Sequence, residues 1–193
     1  QNNFQEEIQT EITLDSDFES AYYFQIDGTY ITSQTENGLM IVHQQRAHQK
    51  ILYEYFKQNK NIKLSSQKLL FPETISLSKK NISEILEIKT ELENVGFKID
   101  IKEDCIEIYA IPQQCENENL QKLFDEILKE QEVENSDLKD KFSSKLCKTL
   151  SNSLSIKRGK KLTQEEMRLL VVELLKCETP SINPFGLNTY FNV

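Results

Sequence analysis

Residues 22–56 show two hydrophobic periods in succession. Alternation with a period of two predicts strands over residues 21–26, 29–34 and 38–43, because successive side chains of a strand point to opposite faces. The third of these runs is apolar throughout, which indicates a central strand covered on both faces. The period then lengthens to that of an amphipathic helix, predicted over residues 44–60.

The middle of the chain mixes both periods again. The elements predicted there are an extended segment at 61–78, a helix at 79–94, strands at 97–101 and 105–111, and an acidic helix at 117–133. Ser78 is the expected N-cap of the first helix, and Gly96 follows its end. Pro72 prevents a helix through the apolar residues that precede it.

Two helices are predicted in the last third of the chain. One covers residues 138–156, and the other begins at a capping box in which Thr163 is the N-cap and Glu166 is N3. This last helix is apolar on nearly every side, so it must be covered on more than one face, by the core or by a second subunit. Its candidate core or interface side chains are Met167, Leu170, Val171 and Leu174.

The order of elements predicts a mixed α/β fold, of the α+β type. Residues 1–17 are acidic and poor in apolar positions, which is typical of a linker. The block at 65–136 is predicted to be a smaller α/β lobe inserted into a subdomain made from both chain ends, residues 18–64 and 137–193.

Composition narrows the function classes. A net charge of −8 argues against a surface that grips the DNA backbone on its own, so DNA is expected to be contacted at most weakly. No apolar run approaches the roughly 20 residues of a membrane helix, and no signal peptide opens the sequence. The four cysteines form no CxxC pair, which favours reduced thiols in a cytoplasmic protein.

The polar run around His43 and His48 is the first candidate for chemistry. These two histidines are five residues apart, so they do not share one face of a helix as metal ligands at i and i+4 would. A hydrogen-bonding helix start is therefore favoured over a metal site. Nucleophile elbows and glycine-rich phosphate loops are absent from the sequence, and a catalytic carboxylate pair stays open.

A short extended segment is the second candidate. It combines one amide with large apolar side chains, in the order Gln67, Lys68, Leu69, Leu70, Phe71 and Pro72. Such a segment suits docking into a pocket of a partner by side-chain insertion. The alternative is that the same apolar residues face the core of the lobe, and the pattern alone favours this alternative.

The chain resembles the C-terminal dimerization domain of the MutL family of DNA mismatch repair proteins. The family pattern is a strand pair, a turn, an apolar strand and then D-Q-H-A-x-x-E-x-x-x-x-E opening a helix. The matching segments here are residues 28–31, 38–42, 46–54 and 69–75, and the run from Ile156 to Met167 through Cys177 and Glu178. The resemblance implies a dimerization subdomain built from both chain ends, with the inserted lobe as a regulatory subdomain.

Members of this family that nick DNA bind divalent metals through three motifs, and here these motifs are degenerate. In the first, His43, Gln45 and Gln49 stand in place of Asp, His and Glu, and only Glu54 remains. The second aligns with residues 151–153, where the cysteine is missing. In the third motif, Asn183 stands in place of the cysteine and Phe185 in place of the histidine, and the arginine is also missing.

The resemblance therefore implies a domain without endonuclease activity, metal or cofactor. The alternative is a cryptic Mn²⁺-dependent nicking endonuclease that retains Glu54 and uses Asp27 or Glu178 as a second acid. The resemblance further implies a homodimer, joined to N-terminal ATPase halves, that works with repair proteins such as MutS. It assigns Gln67, Leu69, Leu70, Phe71 and Pro72 to binding of the β sliding clamp, and so favours docking into a partner over burial in the core of the lobe.

Overall fold

The computed structural model describes residues 21–36, 38–58, 66–116, 118–132 and 139–193. Its strands are β1 (Tyr23–Ile26), β2 (Tyr30–Thr35), β3 (Gly38–His43), β4 (Ser66–Ser76), β5 (Lys98–Ile101), β6 (Cys105–Pro112) and β7 (Tyr190–Asn192). Its helices are α1 (Gln44–Gln58), α2 (Lys79–Glu87), α3 (Lys89–Asn94), α4 (Leu120–Glu132), α5 (Lys139–Ser153) and α6 (Gln164–Leu175). The strands form two antiparallel sheets, in the orders β1-β2-β3-β7 and β4-β6-β5. The mixed α/β fold is confirmed.

The four-stranded sheet packs one face onto two helices. Side chains of β1, β2 and β3 that point to this face share a buried cluster with Ala47 of α1 and with α6. The members of this cluster are Tyr23, Ile31, Met40, Val42, Ala47, Met167, Leu170, Val171 and Leu174. The four α6 side chains expected in a core or an interface are thus buried within one copy of the chain.

The three-stranded sheet and α2 to α5 surround a second, larger cluster. Helix α1 belongs to this cluster as well, since its Leu52 and Phe56 are buried there. The rings of Phe97 and Phe124 meet edge to face near the centre, with centroids 5.4 Å apart. Helix α1 therefore packs between the two cores, and its residues contribute to both.

Local signals at the helix starts and at the first turn behave as their chemistry predicts. The Ser78 hydroxyl accepts a hydrogen bond from the Asn81 amide, and Thr163 and Glu166 form the complete capping box. Asp27 and Gly28 turn the chain between β1 and β2 with φ angles of 51° and 54°. A side chain at Gly28 would lie 2.7 Å from the Cα of Gly159, whose amide donates to the Gly28 carbonyl.

Several expectations differ from the structure. The helix expected over 79–94 is two helices, α2 and α3, separated at Ile88. The described residues do not cover strand β3 on both faces, because Leu39 is exposed and Ile41 is only partly buried. They bury helix α6 on one face only, and Leu169 on another face is 44% exposed.

Other expectations can be compared with the structure only for the residues that it describes. All four cysteines are free thiols, and none of the described helices is long and apolar enough to cross a membrane. The linker expected at 1–17 and both boundaries of the inserted lobe, after residues 64 and 136, lie outside the described residues. The division into two subdomains therefore stays a prediction.

Candidate functional site

Three neutral amides meet where α1, the end of α5 and the loop after α6 come together. The Gln49 side chain donates to Asn152 Oδ1 at 3.0 Å, and Asn183 Nδ2 donates to Gln49 Oε1 at 2.8 Å. We call Gln49, Asn152 and Asn183 the amide cluster. Gln49 and Asn183 are buried, so these bonds satisfy polar groups that would otherwise be costly to remove from water.

Asn183 also shapes the loop that carries it. Its Oδ1 accepts from the backbone amides of Phe185 and Leu187, at 3.1 and 2.8 Å. A side chain that bonds to the following backbone in this way fixes a turn. Asn183 therefore joins the loop to α1 and holds its conformation with the same side chain.

The Glu54 carboxylate, further along α1, has a partner for each of its two oxygens. One of its oxygens lies 2.7 Å from Lys50 Nζ, and the other accepts from the Glu178 amide at 3.0 Å. Lys50 Nζ in turn donates to Thr179 Oγ1 at 2.8 Å. Burial acts to raise the pKa of Glu54, but the hydrogen bonds from Lys50 and Glu178 outweigh it, so the pKa is lowered and the carboxylate stays charged.

The outer face of the four-stranded sheet presents a row of apolar side chains to solvent. Phe24, Thr32, Ile41 and Phe191 are direct cross-strand neighbours on β1, β2, β3 and β7. Phe24 is 66% exposed and Ile26 is 53% exposed. We call the following set the apolar sheet face: Phe24, Ile26, Tyr30, Leu39, Ile41, Phe191 and Val193.

The segment expected to dock into a partner forms a bulge in β4. Lys68 pairs with Ala110 and Glu73 with Ile108, so the four residues between them on β4 face only one on β6. Leu70 is 89% exposed and Phe71 is 78% exposed. Of the apolar residues in this segment, only Leu69 packs against the core of the lobe.

The flanks of this bulge are exposed as well. Pro72 lies on the surface beside Phe71. Gln67 is also exposed, and its amide lies 3.4 Å from Glu116 Oε1, a long hydrogen bond. Leu69 therefore packs on the core of the lobe, whereas Leu70 and Phe71 are exposed and accessible to a partner.

Residues 23–162 match the family described as the MutL C terminal dimerisation domain. The chain belongs to this family. It is 32% identical over 192 residues to the DNA mismatch repair protein MutL of Flavobacterium psychrophilum, covering 97% of this chain and 31% of that protein. It is 33% identical over 199 residues to MutL of Flavobacterium johnsoniae, covering 97% and 30%. It is 34% identical over 149 residues to MutL of Kosmotoga olearia, covering 77% and 24%. The chain spans 31% and 30% of the lengths of the first two of these relatives.

The three motifs that the MutL resemblance assigns to metal binding contribute one residue each to the amide cluster. Gln49 comes from the first motif, Asn152 from the second and Asn183 from the third. Within the described part of the chain, no group of three His, Cys, Asp or Glu side chains could hold a metal ion. The residues present do not fit a hydrolytic metal, because its ligands are carboxylates, imidazoles or thiolates rather than amides bonded to one another.

The resemblance marks His43, Gln45 and Phe185 as the other degenerate positions. His43 packs edge to face on Tyr30, with ring centroids 5.2 Å apart, and its Nδ1 lies 3.4 Å from the Arg46 amide. Partial burial, together with the charge of Arg46, lowers the pKa of His43. Gln45 is half-buried, and Phe185 is 45% exposed.

Sequence reasoning missed the hydrogen bonds of two further polar residues of α1. Gln44 is buried and donates to the carbonyls of Gly28 and Lys160, and it accepts from Gln25 at 2.7 Å. His48 Nδ1 accepts from the Ile156 amide at 2.9 Å. The helix start is hydrogen-bonded, as expected, but Gln44 and His48 bond to other parts of the protein, and the available signal was the density of amides and imidazoles in this run.

His48 should make stability depend on pH. Burial, with Lys160 and Lys157 nearby, lowers its pKa to about 4, whereas an unfolded histidine titrates near pH 6.5. Because the folded pKa is depressed, this contribution is fully present above about pH 6.5 and is lost as the pH falls toward 4. From about pH 7.5 to about pH 5 the free energy of unfolding should fall by about 2 kcal/mol through this group.

Denaturant unfolding of the native chain and of His48→Asn at both pH values measures this contribution. The asparagine carbonyl can still accept from Ile156, and the variant should lose most of the pH dependence. His43→Asn is the matched control and should keep it. A His48 pKa near 6.5, measured by NMR in the folded chain, would contradict the assignment.

Proposed function

We propose that this chain holds two MutL subunits together through the apolar sheet face. The observation that supports this most strongly is a four-stranded sheet whose inner face is packed on α1 and α6 and whose outer face is largely apolar and is left uncovered by the residues that the structure describes. Contiguous exposed apolar patches are uncommon on monomeric proteins and mark interaction sites. A family described as a dimerisation domain agrees with a second copy as the partner.

The chemistry of the face suits a contact between identical copies. In a twofold dimer the same surface is presented by both subunits, so it must be complementary to itself. The apolar sheet face carries no charged side chain among its seven residues, so pairing it with itself would bring no like charges together. The centres of stable interfaces are depleted of charge in this way, and a standard interface buries roughly 1,600 Å² in total.

We assign the contact between copies to this sheet rather than to the four α6 side chains considered from the sequence. Met167, Leu170, Val171 and Leu174 are already buried against the inner face of the same sheet. Exposing them to a partner would uncover the core. They support the dimer by backing the sheet that forms it.

We infer that the domain does not nick DNA. In support, the amide cluster replaces charged ligands by neutral groups, and the Glu54 carboxylate is neutralised by Lys50. The two acids considered as helpers for Glu54 give no support to the alternative. Asp27 lies in the β1–β2 turn, 3.6 Å from Arg158, and Glu178 contacts Glu54 through its backbone amide.

We infer that the bulge of β4 binds the β sliding clamp through Leu70 and Phe71. In support, these two apolar side chains are the most exposed of their size in the described lobe and project from a short break in strand pairing. Insertion of such side chains into a pocket is a common mode of peptide recognition. In the longer protein this domain would be joined to an N-terminal ATPase, meet MutS in the cytoplasm and use no cofactor of its own.

Replacing Phe24 by glutamate should weaken the dimer. Phe24→Glu places a charge in the apolar sheet face, and hot-spot losses of about 2 kcal/mol or more correspond to at least a roughly 30-fold rise in the dimer Kd. Leu86→Glu is the matched control, because Leu86 is an exposed apolar residue of α2 outside this face. Sedimentation equilibrium measures both variants. Equal Kd values for the two would rule out the sheet face.

The domain should leave supercoiled plasmid intact in Mn²⁺. The assay compares the full-length protein with its Glu54→Ala variant, and equal, buffer-level conversion to open circles is the expected result. Isothermal titration of the 193-residue chain with Mn²⁺ should show no site. Nicking that disappears in Glu54→Ala would establish the cryptic endonuclease instead.

The double variant Leu70→Ala, Phe71→Ala should bind the sliding clamp at least about tenfold more weakly, since two exposed anchors are removed. Its melting temperature should not change, because neither side chain is part of the core. Leu86→Ala is the control for loss of an exposed apolar residue in the same lobe. Clamp affinity that stays at the native value, measured by surface plasmon resonance, would exclude the bulge.

A further inference from the structure

The acidic charge of this chain is concentrated in the segment before β1. Residues 1–20 contain six acids and no basic side chain, so they carry −6 of the net −8 and leave −2 for residues 21–193. The acids are Glu6, Glu7, Glu11, Asp15, Asp17 and Glu19. Three apolar residues stand among them, Phe4, Ile8 and Ile12. A partner for this segment must therefore be cationic and offer some apolar surface.

A pocket of about 210 Å³ between α4 and α5 has this combination. Lys129 of α4 and Lys145 and Lys148 of α5 line it, and the ring of Phe185, which is 45% exposed, forms part of its wall. None of the described carboxylates forms an ion pair with these three lysines. Like charges gathered on one wall repel one another, so carboxylates placed among them would be stabilised.

The neighbours of the pocket increase its positive character. Lys157 Nζ donates to the carbonyls of Asn152 and Ser153, at 3.1 and 2.6 Å, and so brings a fourth cation to the end of α5. Glu126, the one acid that lines the pocket, accepts from the Ser153 hydroxyl and lies 3.9 Å from Lys122 Nζ. This acid is thus partly neutralised from outside the pocket.

We propose that residues 1–19 dock at this pocket of the same chain. Their carboxylates pair with Lys129, Lys145 and Lys148, and one of their apolar side chains packs on Phe185. Ion pairs at a surface are individually weak. The segment is covalently attached, however, so it acts on the pocket at an effective concentration of roughly millimolar, and several weak contacts suffice.

The length of the segment permits this contact. Glu11 stands ten residues before Ala21, the first described residue, and Glu6 stands fifteen before it. An extended chain covers about 3.3 Å per residue, so these carboxylates can lie up to about 35 to 50 Å from Ala21. A domain of this length has a radius of gyration of about 16 Å, so the pocket lies within that range.

The proposal goes beyond the proposed function. Docking of residues 1–19 requires neither the apolar sheet face nor the bulge of β4, so its failure would leave dimerization and clamp binding untouched. In the longer protein proposed above, docking would fix where the chain from the ATPase reaches this domain.

Carbodiimide crosslinking of the native 193-residue chain tests the contact directly. The reagent joins a carboxylate to a lysine amine without a spacer, so it reports groups in ion-pair contact. Crosslinked peptides should connect residues 1–19 with Lys129, Lys145 or Lys148, and their yield should fall at high salt because exposed ion pairs are screened. In a mixture of ¹⁵N-labelled and unlabelled copies, each crosslink should join peptides with the same label.

Cleavage by a glutamate-specific protease measures how firmly the segment is held. Because cleavage follows the undocked fraction, the triple variant Lys129→Gln, Lys145→Gln, Lys148→Gln should be cut after Glu7 and Glu11 about tenfold faster than the native chain. The control triple variant Lys68→Gln, Lys79→Gln, Lys98→Gln removes the same charge from exposed positions of the other lobe and should stay within about twofold of the native rate. Glu126→Gln should slow cleavage, which a loss of folding could not do.

Three results would overturn the proposal. One is the absence of crosslinks between residues 1–19 and the pocket lysines, or crosslinks from this segment mainly to other lysines. Another is a set of crosslinks that join differently labelled copies, which would make the site a contact between chains. The last is equal acceleration of cleavage in both triple variants, which would indicate only a general effect of net charge.

Discussion

The burial of α1 between two hydrophobic cores is the constraint on which the rest of the structure depends. Ala47 packs under the four-stranded sheet, while Leu52 and Phe56 pack into the core of the other lobe. A helix packed on two sides in this way also buries polar residues, which are Gln44, Gln49, Lys50 and Glu54. Each buried polar group would cost about 1–3 kcal/mol if it were unpaired. Every polar side chain that α1 buries must therefore find a partner elsewhere in the chain.

The partners it finds organise the site. Gln44 reaches the β1–β2 turn, Gln49 reaches Asn152 and Asn183, and Lys50 and Glu54 pair with each other and with the turn after α6. Neutral amides can crowd together and bond, whereas several carboxylates in the same space would repel unless a cation joined them. In this chain three amides occupy that space and bond to one another.

Much of the local structure follows from short-range signals in the sequence. The strand alternation around residues 22–43, the N-cap Ser78 and the capping box of α6 act within a few residues, and each has its expected effect. The division at Ile88 was not predicted, because the apolar period continues through it. The uncovered face of β3 was not predicted either. A strand that is apolar on both faces is expected to be buried on both, but its sequence does not show whether the same chain or another covers the second face.

The site was harder to predict because its contacts are long-range. Gln49 bonds to residues 103 and 134 positions away, and no periodicity connects them. Resemblance to the MutL family marked these positions as degenerate, but only the coordinates show that the substitutes bond to one another. The bulge of β4 could be predicted in part. Its composition suggested a docking segment, and the exposure of Leu70 and Phe71 favours that interpretation over burial in the core.

Isotope-filtered NOE measurements on a dimer mixed from labelled and unlabelled copies test the central claim most directly. Contacts between copies should connect Ile26, Leu39 and Ile41 methyl groups with the rings of Phe24 and Phe191. Contacts between copies that arise instead from α6, at Leu169 or Leu175, or a complete absence of such contacts, would contradict the account.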